Sequence, residues 1–382
     1  MEKMEENKKT PSTVNIELPV ISDSKTCLSP LRTGRESAAT PPSPDQPFVV
    51  ASLRSAAGIV PKVSSQLTRF DRWGTVRARL NIGRMTYAID PGLYALGEPD
   101  HASPVLVSAN YKMSFDRLRE ALPGRSAWIL VLDTRGINVW CAAGKGTFGT
   151  EELINRIEVS GLKSVVSHRK IILPQLGAPG VAAHHIRQLT GFKVHYGPVR
   201  ADDLPAYLDA GLKASDEMRL ITFPLKERAV LLPVELTAAV KPFLIVSAIF
   251  LVLAAVLGPN GFTMNLVHEG LFAVAATACA VIGGAVMIPL LLPWIPGRAF
   301  SIKGLTIGLI LCLGLMSLRG ISLQSWSGKT EVLAWVLIIP AITAYLAMNF
   351  TGCSTSTSLS GEKKERRFAL PLQISAAGLG LV

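Results

Sequence analysis

Paired cysteine is what this 382-residue sequence most conspicuously lacks. Its five cysteines are Cys27, Cys141, Cys279, Cys312 and Cys353, and no two stand in C-x-x-C spacing. Zinc ribbons and iron–sulfur clusters use that spacing, so neither is expected in this chain. The scatter also argues against a disulfide framework and fits a reducing compartment for the soluble part. Aromatic residues are few, at 7%, and are not interleaved with basic ones, so no nucleic-acid module is recognisable. The first residues are charged and polar, with no apolar h-region, so no secretory leader is expected.

What is present is basic charge and uneven hydrophobicity. The formal net charge is +11 and the apolar share is 49%. Residues 1–45 are rich in Lys, Glu, Ser, Thr and Pro and are expected to form a disordered tail. Residues 46–236 read as an α/β domain, and residues 237–382 as an all-α transmembrane domain of four to five helices. Arg69, Arg72, Arg77, Arg79 and Arg84 cluster early in the first domain. They fit a solvated face, or contact with lipid headgroups or an acidic partner.

In the first domain, strands are expected at 104–108, 128–132, 170–173 and 192–196. Helices are expected at 114–122 with Ser114 as cap, at 150–159 with Thr150 as cap, at 181–190 closed by Gly191, and at 202–210. The alternation points to a parallel, Rossmann-like sheet covered by helices.

After residue 236 the pattern changes. Segments 242–257, 270–292, 299–318 and 332–350 are nearly uncharged. Each approaches the roughly 20 residues that cross a bilayer. A fifth apolar stretch, 369–382, is shorter. Pro289, Pro293 and Pro296 are expected to end or kink the second span. Lys and Arg in the connecting loops favour one side by six to two. That places the α/β domain in the cytoplasm, on the inner membrane. Ionisable residues at membrane depth are nearly absent, which favours an anchor over a transporter with a regulatory α/β domain. Cys279 and Cys312 lie in spans, where packing is the plainer role.

The segment 131–150 carries the chemistry. A strand ends near Asp133, Gly136 turns the chain, and Asn138 can cap a short helix that Gly144 and Gly146 stop. Gly144-Lys145 is not a phosphate loop, because position 139 is Val and position 146 is Gly. Cys141 is then either a packed thiol or a reactive or ligating thiolate near a helix N-terminus, whose dipole favours an anion.

Asn138-Val139-Trp140-Cys141-Ala142-Ala143-Gly144-Lys145 resembles the cap-helix motif of the HgcA family, the mercury-methylating corrinoid proteins. Pro91-Gly92-Leu93-Tyr94-Ala95-Leu96-Gly97 is similar to the same family. So are the loop Asn349-Phe350-Thr351-Gly352-Cys353-Ser354 and Ser108-Ala109-Asn110-Tyr111-Lys112, the latter also similar to a motif in the corrinoid domain of the corrinoid iron–sulfur protein. The resemblance covers about residues 70–382. It implies a corrinoid bound base-off in the α/β domain, with Cys141 as lower axial ligand of the cobalt. The other motif residues and Asn110, Tyr111 and Lys112 would contact the cofactor. It further implies methyl transfer to Hg(II), an electron donor with iron–sulfur clusters (the ferredoxin-like HgcB), and an upstream folate-linked methyltransferase. His168, His184, His185 and His195 then become surface or core residues, and Lys145 a rim contact or a helix-end cap. A methyl carrier of one-carbon metabolism would need the same site residues.

Overall fold

The computed structural model describes residues 41–258, 261–321, 323–350 and 359–381. The expected tail therefore lies outside the described residues up to 40. Residues 41–45 already join the fold. Pro42 is buried against Gly92, where a Cβ would stand 2.6 Å from its ring, and the Ser43 amide donates to Asp90.

Seven strands form one sheet: β1 (Val49–Ser55), β2 (Gly58–Val63), β3 (Gly92–Leu96), β4 (Val105–Ala109), β5 (Ala127–Leu132), β6 (Lys170–Leu173) and β7 (Lys193–Tyr196). Their spatial order is β1-β2-β3-β5-β4-β6-β7. The sheet is mixed, which corrects the expected parallel one. β5, β4, β6 and β7 run parallel, whereas β3 pairs antiparallel with β5 and β1 with β2. The first three strands were not foreseen. Residues 49–55 are largely exposed edge strand, so they lack the continuous apolar run that marked the central strands.

Helices cover both faces. On one side Val107, Leu130 and Leu132 pack under α3 (Val139–Lys145), α4 (Thr150–Val159), α5 (Leu162–Val165) and α6 (Ala183–Thr190). On the other, Leu106, Ile129 and Val131 pack against α2 (Lys112–Glu120) and α7 (Leu204–Asp209). Every residue of β4 and β5 is buried, which is why those strands read as unbroken apolar runs. Each such Leu, Ile or Val contributes about 1.5–3 kcal/mol by leaving water.

Two caps differ from expectation. α2 begins at Lys112, with Tyr111 in the cap position and Ser114 already inside the helix. α4 starts at Thr150 after Gly149, and the Thr150 hydroxyl instead accepts from the Ala182 amide. Gly191 closes α6 in the left-handed conformation, as expected. An earlier helix, α1 (Arg69–Arg79), carries a capping box between Thr68 and Asp71.

A short helix, α8 (Asp216–Arg219), leads into the second half. There four helices are long and apolar enough to cross a membrane: α9 (Leu225–Leu257), α10 (Phe262–Leu291), α11 (Phe300–Arg319) and α12 (Trp326–Asn349). α9 runs through the expected boundary at 236. α10 ends after Pro289. The turn before it, Gly283–Met287, is π-helical, which accommodates the amide that proline lacks. The fifth apolar stretch is the second part of α13 (Leu359–Leu381), whose first part is charged.

The two ends of this bundle differ. At the end where α9 begins, Arg228 donates to the Pro289 and Leu290 carbonyls, and Lys303 donates to the Leu292 carbonyl at 2.8 Å. Phe223 stacks on Phe350 with centroids 6.2 Å apart. At the opposite end Arg319 pairs with Glu269 and Glu331. Residues 351–354 of the expected loop motif lie outside the described residues.

Candidate functional site

The chain reverses its direction of winding across the sheet at β4 and β5. α2 returns β4 to β5 along one face, while the helices after β5 lead back past β4 to β6 along the other. A crevice at the carboxyl ends of the strands is thereby created, the usual ligand position in open α/β sheets. The motif helix α3 stands there.

The approach to α3 is built by Asn110. Its Oδ1 accepts from the Thr134 amide at 3.0 Å, the Thr134 hydroxyl at 2.8 Å and the Gly136 amide at 2.9 Å. Its Nδ2 donates to Asp133 at 3.1 Å. Arg135 and Gly136 both take positive φ, 59° and 69°, so this turn is unusual and Asn110 holds it. Asn110 is buried, and its side chain is engaged in holding this turn.

Asn138 caps α3 as expected, its Oδ1 accepting from the Cys141 amide at 2.9 Å. The helix continues through Gly144 and ends at Gly146, φ 79°. Its seven residues divide into two faces. Val139, Ala142 and Ala143 point inward. Trp140, Cys141, Gly144 and Lys145 point outward, with Cys141 half-buried and Trp140 exposed. The small inward residues let the turn at 175–180 pack closely, since a Cβ on Gly180 would lie 3.1 Å from the Ala143 Cα and 2.1 Å from the Phe148 carbonyl. Ala142 and Ala143 thus serve packing, and the flat outward patch is Trp140, Cys141 and the side-chain-free Gly144.

Tyr111 faces the same patch. Burial pushes its phenol up from the ordinary range, Arg84 and Arg79 pull it down, and negative charge on Cys141 adds to the rise. The two arginines are thus neighbours of Tyr111, which their clustering in sequence did not reveal. Tyr111 packs edge-on to Tyr87 at 6.5 Å. A cavity of about 390 Å³ adjoins the N-terminal turn of α3, lined by Tyr111, Met113, Asn138, Trp140, Pro198 and Arg200 among others. The segment at 197–201 had no readable signal, because it is a loop set in place by β7 and α7.

Lys112 is elsewhere. Its ammonium is buried between Asp71 at 2.6 Å and Asp116 at 2.6 Å, and lies 4.7 Å from the Phe48 ring centre. Arg119 binds the same two carboxylates. Burial alone would raise the Asp71 carboxyl, but hydrogen bonds from Lys112, the Thr68 amide and Arg119 hold it far below the usual range. Lys112 does not reach the outward face of α3. His168 bonds the Ser103 carbonyl, and its Nδ1 accepts from the Lys170 amide, at the amino ends of the strands. His184 and His185 are exposed on α6. Among the described residues, no group of three His, Cys, Asp or Glu is placed to hold a metal ion.

Residues 82–208, which contain β3 to β7 and α3, match the CO dehydrogenase/acetyl-CoA synthase delta subunit family. Similar curated proteins include gamma subunits of the acetyl-CoA decarbonylase/synthase complex. That of Methanopyrus kandleri is 31% identical over 123 residues, 32% of this chain and 26% of the relative. That of Methanothermobacter thermautotrophicus is 32% identical over 128 residues, 33% of this chain and 28% of the relative. That of Methanocaldococcus jannaschii is 37% identical over 97 residues, 25% of this chain and 20% of the relative. The chain spans about a quarter of the length of these relatives, and the family match at 82–208 falls within its α/β domain. The segment that matches the CO dehydrogenase/acetyl-CoA synthase delta subunit family is therefore the part of the α/β domain that bears the Cys141 helix.

Proposed function

We propose that the α/β domain binds a corrinoid base-off against α3, with the Cys141 thiolate as lower axial ligand of cobalt, and that the protein methylates Hg(II). One observation carries this reading. The motif N-V-W-C-A-A-G-K places a soft thiol at the centre of the outward face of a capped helix, at the switch point of the sheet. The donor set fits the group: a half-exposed sulfur, an aromatic plane at Trp140 beside it, and no side chain at Gly144 to hold a flat ring away.

When bound, a corrinoid supplies a cobalt that carries a methyl group and releases it to an acceptor. Cys141 would offer the cobalt a soft, electron-rich donor, which would favour release toward an electrophile such as Hg(II). Asn138 keeps the first turn of α3 in place, and Asn110 keeps the turn before it. Tyr111 stands near the thiol, with Arg79 and Arg84 close to its phenol. Electrons would come from a separate iron–sulfur donor such as the ferredoxin-like HgcB, and the methyl group from a folate-linked methyltransferase upstream.

The four long helices would hold this machinery in the cytoplasmic membrane. The basic end of the bundle, with Arg228, Lys303, Lys363, Lys364, Arg366 and Arg367, adjoins the α/β domain, which supports a cytoplasmic placement.

A second reading, a membrane-anchored methyl carrier of one-carbon metabolism, is favoured by the names of the relatives. The purified, methylated protein separates the two when offered Hg(II) and, in parallel, tetrahydrofolate. Methylmercury is the expected product. Transfer to tetrahydrofolate with none to Hg(II) would overturn the mercury reading.

A further inference from the structure

The outward face of α1 is built unlike an ordinary solvated helix. Phe70, Trp73, Val76 and Leu80 follow one another along it, with Phe70 84% and Trp73 61% exposed. The loop after it continues the pattern with Ile82, 51% exposed, and Met85, 57% exposed. Arg69, Arg72 and Arg77 stand among these side chains, all exposed. The one acidic residue between 69 and 86 is Asp71, which is buried and turned inward to Lys112 and Arg119. The inward face is completed by Gly74 and Ala78, and Gly74 lies so close to Tyr87 that a Cβ would meet its hydroxyl at 2.5 Å. The polarity is thus inverted: the small residues and the acid face the protein, while the large apolar and basic ones face out.

Such a patch is costly in water and needs a cover. Its place in the fold says which. α1 touches α9, the first membrane-length helix. Where α9 begins, Trp294 is 68% exposed at the end of α10, with the Arg228 guanidinium 5.7 Å from its ring centre. An exposed tryptophan beside a cation at the end of an apolar helix is characteristic of the membrane–water interface.

We infer that α1 and the loop to Met85 lie in the membrane interface as an amphipathic anchor. Phe70, Trp73 and Leu80 would enter the acyl boundary, and Arg69, Arg72 and Arg77 would reach anionic headgroups. Because the inward face of α1 leads through Tyr87 to Tyr111, the anchor also sets the candidate site at a fixed height above the lipid.

The test is backbone hydrogen exchange over residues 69–86 in the full chain. The chain is placed in detergent, in nanodiscs of phosphatidylcholine, and in nanodiscs that also contain phosphatidylglycerol. Exchange is expected to slow roughly 30- to 150-fold in the anionic nanodiscs relative to detergent, as two or three basic contacts to an anionic surface at about 1 kcal/mol each require. Arg69→Gln, Arg72→Gln and Arg77→Gln together should remove most of the difference between the two nanodiscs. Comparing lipids on the unaltered protein keeps the test valid if that variant misfolds. Equal exchange in all three media, or slowing that appears only when an acidic soluble protein is added, would overturn the inference.

Discussion

The two motifs that stand out in the α/β sequence meet at the same end of the sheet but do different work. Around Cys141 the side chains with chemistry turn outward, and the helix beneath them is short and closely packed. Around Asn110 and Lys112 the polar groups turn inward and are consumed by the protein itself: one builds a turn, the other closes a buried cluster of four charges. Neighbours in sequence are thus engaged differently: the Asn110 and Lys112 side chains are bonded within the protein. Burial and saturation of hydrogen bonds separate the group that can bind from the groups that support it.

That contrast can be tested by substitution, beginning with the largest effect on stability. Lys112→Met strips a cation from two buried carboxylates and should cost about 3–5 kcal/mol, measured by denaturant unfolding. Any folded fraction should keep the cobalt spectrum of the parent. A normal stability with an altered spectrum would instead make Lys112 a cofactor contact. Asn110→Ala leaves the Thr134 and Gly136 amides without an acceptor and should cost about 2 kcal/mol. It should also weaken corrinoid retention, since the turn before α3 loosens. Asn138→Ala removes one cap and should cost about 1 kcal/mol.

The remaining test is pH. The Asp71 carboxyl lies below its ordinary value of 3.8, so the unfolded chain takes up the proton more readily. Its contribution is complete above that value and is lost as pH falls below it toward the folded-state value. Asp71→Asn should flatten this part of an acid unfolding curve.

Much of the architecture was legible because β4, β5 and the long helices are buried or apolar throughout, and continuous runs of that kind are unambiguous. β1 was not, since an exposed edge strand carries no such run, and β2 beside it is only half buried and interrupted by Pro61 and Lys62. The cap on α3 was readable from Asn138 alone, because the bond it makes is local. Which motif residues face outward was not. Ala142 and Ala143 turn inward, and the close approach of Gly180 to Ala143 is a contact between distant segments that sequence does not show. The neighbourhood of Tyr111, Arg79 and Arg84 depends on contacts between distant segments, which no local pattern encodes.

The central claim is that Cys141 ligates cobalt from below. The direct measurement is the absorption spectrum of the full-length protein reconstituted with cobalamin, beside that of Cys141→Ala. The account predicts a cobalt–thiolate species in the parent, and a water-ligated, base-off species in the variant with unchanged fold and membrane insertion. Identical spectra from the two proteins would contradict it.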